Sequence, residues 1–167
     1  VYRMWEVTGS AHTDLYTTLI GNADKGDDNT YADVREQNDA RPPFIFCEIP
    51  VNDGPGQWVA NAAIASLDRW IRGGEAAPSA PFMQWNESQD EFELDAFGNA
   101  IGGVRTPWVD APVATLRGTG QPPADAFCGL LGTTRLFDNT LLAELYPSKQ
   151  DYVDAINRTT DAAVDVF

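Results

Sequence analysis

A chain of 167 residues with 43% hydrophobic residues and five tryptophans has the material for one cored domain, or for a large part of a bigger one. Its 25 acidic against 11 basic residues leave a net charge of −14, which disfavours nucleic acid and anionic membranes as partners. No stretch approaches the roughly 20 consecutive apolar residues that span a bilayer, and no basic-then-apolar leader opens the chain. Val1 in place of an initiator Met suggests a processed chain or a fragment.

In chain order, "VYRMWEVT" (1–8) reads as a strand with apolar residues on both faces, ended by Gly9-Ser10. "TDLYTTLI" (13–20) suits a short helix or a surface run, and "GNADKGDDNTYAD" (21–33) a polar loop. "RPPFIFCEIPVNDGPGQ" (41–57) is irregular and carries turn chemistry at Asn52-Asp53-Gly54-Pro55. The clearest helix runs over 58–72. Trp58, Ala62, Ala65 and Leu67 with Val59, Ala63, Trp70 and Ile71 make a broad apolar stripe there, and Gly73-Gly74 stops it. Residues 75–88 are a Pro/Ala-rich connector, and 91–104 an extended segment, a turn and a second extended segment. Prolines 107 and 112 make 105–118 an edge strand or an extended surface run. Two helices close the chain, the first capped by Asn139 and the second by Ser148.

Cys47 and Cys128 are either one disulfide or two free thiols, with no metal-ligand spacing. A bridge would close a long loop, worth about 4 to 5 kcal/mol in the chain-entropy model, and would place the chain in an oxidising, secreted or periplasmic compartment. The carboxylates Asp24, Asp27, Asp28 and Asp33 do not follow the calcium-loop pattern and read as a solvated acidic loop. Glu87, Asp90, Glu91, Glu93 and Asp95 read as a charged hairpin face. Trp58, Trp70, Trp85 and Trp108 either line an aromatic pocket or, for Trp58 and Trp70, fill the core beneath the helix. Arg105, in "GGVRTPWVD", is read as a structural anchor for a carboxylate, with anion binding as the alternative.

His12 is the sole histidine and follows the first strand. It is either a general base or a solvated turn residue. A Ser–His–Asp enzyme of the nucleophile-elbow type needs G-x-S-x-G, and none of Ser10, Ser66, Ser79, Ser88 or Ser148 sits in one.

"WEVTGSAHTD", "PVNDGPGQWVANAAIASLDRWIRGGEAAPSAP", "DAFGNAIGGVRTPWVDAPVATLRG" and "CGLLGTTRLFDNTLLAELYPSKQDYV" together resemble the C-terminal portion of the bacterial alpha/beta hydrolase domain family, mostly uncharacterised proteins expected to be serine hydrolases. The resemblance implies an α/β fold: the C-terminal part of a hydrolase sheet with covering helices and an extra extended, hairpin-bearing region. Residues 1–74 would end the hydrolase core, 75–138 would form the extended decoration and 139–167 the closing helices. It also implies that His12 is the triad histidine, with the serine and acid upstream on the same polypeptide or on a cleaved partner chain. The substrate would be a small-molecule ester, with no cofactor. The rival expectation is a non-catalytic accessory or interaction domain. An uncovered imidazole edge beside an uncovered apolar patch would favour the hydrolase.

Overall fold

The computed structural model describes residues 2–20, 47–122 and 126–166. The acidic loop of 21–33, the stretch 41–46, Val1 and Phe167 lie outside the described residues.

Residues 2–8 do not form a strand. Only Val7 pairs, in a parallel bridge with Val104, where the Thr8 N–H donates to Val104 O (3.1 Å) and the Val104 N–H to Glu6 O (2.6 Å). Residues 2–6 are instead held by side-chain bonds to the 77–78 connector. Arg3 Nε donates to Ala77 O (2.8 Å) and Trp5 Nε1 to Pro78 O (2.9 Å), while Tyr2 and Met4 stay exposed. A segment apolar on both faces needs cover on each side; helix residues Trp70 and Trp58 lie near Arg3 and Trp5, but only Val7 finds a strand-like partner among the described residues.

A short π-helix, Tyr16–Ile20, follows, and then α1, Gly56–Ile71. The Pro/Ala-rich connector leads into a small hairpin of β1 (Trp85–Asn86) and β2 (Glu91–Phe92), with Trp85 paired to Phe92. Antiparallel bridges Leu94–Ala100 and Met83–Gly102 extend it into a three-segment ribbon, the extended-turn-extended pattern of 91–104. Proline at its first position starts the one-turn α2, Pro107–Asp110. Strand β3 (Ala114–Arg117) then pairs antiparallel with β4 (Thr133–Leu136), and α3 (Ala126–Leu131) lies between them in sequence. Helices α4 (Asn139–Leu145) and α5 (Lys149–Val166) complete the chain, with α2 packed on α5. The cap of α4 is Asp138 and not Asn139, because its Oδ1 accepts the Leu141 N–H at 2.9 Å. Ser148 caps α5 in a reciprocal box with Asp151.

Helix α1 buries far less than its periodicity suggests. Val59 and Ser66 are its buried residues, whereas Trp58, Leu67 and Ile71 are exposed. The stripe exists but is only partly covered: Val59 is buried, Ala62, Ala63 and Trp70 are half-buried, and Trp58 meets Trp108 at its edge.

The centre of the molecule is a polar knot around fully buried Asn52. Its Nδ2 donates to the carbonyls of Gly9 (3.0 Å) and Arg117 (3.1 Å), and its Oδ1 accepts the Gly54 N–H (2.9 Å). Its backbone receives the Leu15 N–H (2.7 Å) and donates to Leu131 O (2.9 Å). One asparagine thus ties five segments. Position 54 must be glycine because a Cβ there would collide with Gly9 O and Asn52 Oδ1. Beside the knot, Cys47 and Cys128 form a disulfide with Cα atoms 5.5 Å apart, packed on Leu131 and Val51. Gln121 closes the same corner by donating to Ile49 O and Gly132 O, both at 2.8 Å.

Candidate active site

The turn that carries His12 is pinned on both flanks. Gly9, at φ +78°, reverses the chain after the Val7–Val104 bridge. A left-handed turn there lets the Ser10 Oγ donate back to Val7 O (2.8 Å). Beyond it, the Thr13 N–H donates to Leu130 O (3.2 Å). His12 itself is exposed, and no described residue hydrogen-bonds its ring. The imidazole is presented from a fixed backbone.

The next carboxylate, Asp14, is turned inward. Asp14 is 3% exposed; its Oδ1 accepts the Thr17 N–H at 2.8 Å and its carbonyl accepts the Thr18 N–H at 3.0 Å. It caps the short turn of 15–20 from inside, and its Oδ2 sits against Gly56 at the start of α1. The signal was present in sequence, since an aspartate before an apolar run is an N-cap pattern. Its Oδ1 is thus engaged in that cap, and no hydrogen bond joins it to His12 among the described residues.

His12 lines a cleft of about 390 Å³ with Ser10, Asp14, Thr17, Gly56 and Val59 among its walls. Ser10 is the one serine there, and its hydroxyl is engaged with Val7 O. No nucleophile is therefore assembled at His12 from the described residues. Among them no group of three or more His, Cys, Asp or Glu side chains is arranged to hold a metal ion.

Arg105 lies away from this cleft. Its guanidinium donates to Asp110 Oδ1 (2.6 Å), Asp95 Oδ2 (3.3 Å), Ala100 O (2.6 Å) and Val109 O (3.2 Å). Four acceptors leave little of the fork for a ligand. Asp95 therefore leaves the charged hairpin face. It accepts the Phe97 and Asn99 N–H groups and turns inward, while Glu87, Asp90, Glu91 and Glu93 stay exposed. Trp58 is 48% exposed and lies against Trp108 with ring centroids 6.2 Å apart, so it is not core.

The model of the alpha/beta hydrolase domain family matches residues 1–166. The chain belongs to the alpha/beta hydrolase domain family. No curated protein and no solved structure matches it. Membership places the chain among hydrolases and agrees with its mixture of helices and small sheets. His12 lies five residues past Val7, the one residue of that segment that bridges to Val104.

Proposed function

We propose that this hydrolase-family chain contributes the general base of a serine esterase, with His12 as that base and with the nucleophilic serine and the orienting acid contributed from outside these 167 residues. The observation that carries the reading is the presentation of His12: an exposed imidazole without a described hydrogen-bond partner, on a turn pinned at both ends, just past a parallel-paired segment. His12 takes the proton from the serine Oγ as it attacks an ester carbonyl. It then returns that proton to the leaving alcohol, and repeats the cycle with water to release the acid. The acid that fixes its ring comes from elsewhere, because Asp14 is committed to its cap.

The test is labelling by a fluorophosphonate, which reports an activated serine directly. The 167-residue chain alone is expected to remain unlabelled. The longer polypeptide with the nucleophile is expected to label, and His12→Ala to slow that labelling by at least about a hundredfold. Equal labelling in the variant would remove His12 from the chemistry.

A further inference from the structure

The turn that carries His12 leans on one short stretch of chain, residues 130–132, where α3 gives way to β4. On one side of the histidine the Thr13 N–H donates to Leu130 O (3.2 Å). On the other side lies Ala11, whose Cβ would stand 2.9 Å from a Cβ built on Gly132, so the bare glycine is what lets the turn come close. Leu15 is held one step removed. Its N–H donates to Asn52 O (2.7 Å), and the Asn52 N–H donates to Leu131 O (2.9 Å). Residues 11, 13 and 15 thus take their places from 130–132, two directly and one through Asn52.

That seat is only as fixed as α3. Six residues of helix have little stability of their own, so its place depends on what its inner side is fastened to. Phe127 and Leu130 are exposed, whereas Cys128 and Leu131 are buried. Cys128 is bonded to Cys47, and the chain after Cys47 is fastened independently of α3. Gln121 brackets Ile49, accepting its N–H (3.3 Å) and donating to its carbonyl (2.8 Å), while the Thr134 N–H donates to Pro50 O (2.9 Å). The disulfide joins a short helix to a firmly tied segment.

We propose that the Cys47–Cys128 bond is a positioning element for His12: by holding α3 it holds residues 130–132, and through them the turn that presents the imidazole. Naming catalysis as the consequence rests on the reading of His12 as the base; the coupling of bond to turn does not. A general base must stay within hydrogen-bond reach of the proton it takes, and a misplacement of about 1 Å can cost about a hundredfold in rate.

The experiment is backbone 15N relaxation on the 167-residue chain, which needs no turnover. Cys47→Ala with Cys128→Val removes the bond and keeps most of the buried volume. Gly132→Ala leaves the bond intact and pushes the seat away, since the new Cβ would strike Arg117 O and Ala11. Order parameters of Ala11, His12 and Thr13 are expected near about 0.85 in the wild-type chain and below about 0.6 in each folded variant. Those of Val104 and Leu116, whose N–H groups are held by Glu6 O and Asn99 Oδ1, should stay as they are, a split that general loss of stability would not produce. Joined to the proposed serine, the bond-free variant should lose at least about tenfold in kcat for p-nitrophenyl esters, with KM within about twofold. Wild-type order at 11–13 in either folded variant would overturn the proposal, as would an equal loss of order at Val104 and Leu116. Full kcat in the bond-free variant, where His12→Ala is inactive, would overturn it as well. A turn that loosens while His12→Ala keeps full turnover would leave the coupling standing and overturn the catalytic reading alone.

Discussion

The block around Asn52 and the helices laid over it are stabilised in opposite ways. The block is loops and short strands, yet its residues are tied by a disulfide and by buried side-chain-to-backbone bonds from Asn52, Asn99 and Gln121. Helices α1 and α5 have regular backbones but leave apolar side chains such as Ile64, Leu67, Ile71 and Val164 more than half exposed. Regular secondary structure and tight integration are therefore separate properties here. Irregular backbone survives in the interior because nearly every polar group in it has a named partner.

Breaking the strap gives the largest expected effect. The disulfide spans 81 residues, and the Cys47→Ser, Cys128→Ser double variant should lose about 4 to 5 kcal/mol in urea unfolding. Asn52→Ala comes next, at about 2 to 4 kcal/mol, since it removes the buried bonds to the Gly9 and Arg117 carbonyls and from the Gly54 N–H. The same measurement reads it.

Tyr146 gives a smaller, pH-dependent effect in the helical layer. Burial, with Tyr152 adding to it, raises its pKa above the ordinary 10.0, and its hydroxyl donates to Pro112 O. A raised folded-state pKa contributes stability that is present below the unfolded value and is lost as pH rises through the folded one. The urea midpoint should fall as pH rises through and beyond the ordinary value of 10.0, and Tyr146→Phe should flatten that fall. Smallest of all is Leu67→Glu on the open face of α1. At 52% exposure it should change stability by no more than about 0.5 kcal/mol. A loss of several kcal/mol there would erase the contrast between block and helices.

Local signals were legible, and long-range ones were not. The alanine-rich stripe and Gly73-Gly74 located α1 to within two residues, and Ser148 marked the start of α5. Periodicity states which face can be buried, not what covers it, which is why Trp58 and Leu67 proved exposed. The turn chemistry at 52–55 was readable, but Asn52 reaches Gly9 and Arg117 across 43 and 65 residues, and nothing local encodes that. Likewise β4 carries no alternation that would announce its pairing with β3. The site divides in the same way. His12 stood out as a lone imidazole after a glycine break, and the resemblance of its surroundings implied the role proposed for it. The inward commitment of Asp14 and the seating of Ala11 and Thr13 on residues 130–132 emerge only from packing.

The most direct test is chemical rescue of p-nitrophenyl ester hydrolysis in a polypeptide that joins this chain to the proposed serine. His12→Ala should cut kcat/KM by about a thousandfold or more, and added imidazole should restore part of it. A variant that turns over like the parent protein, with or without imidazole, would contradict the assignment of the base to His12.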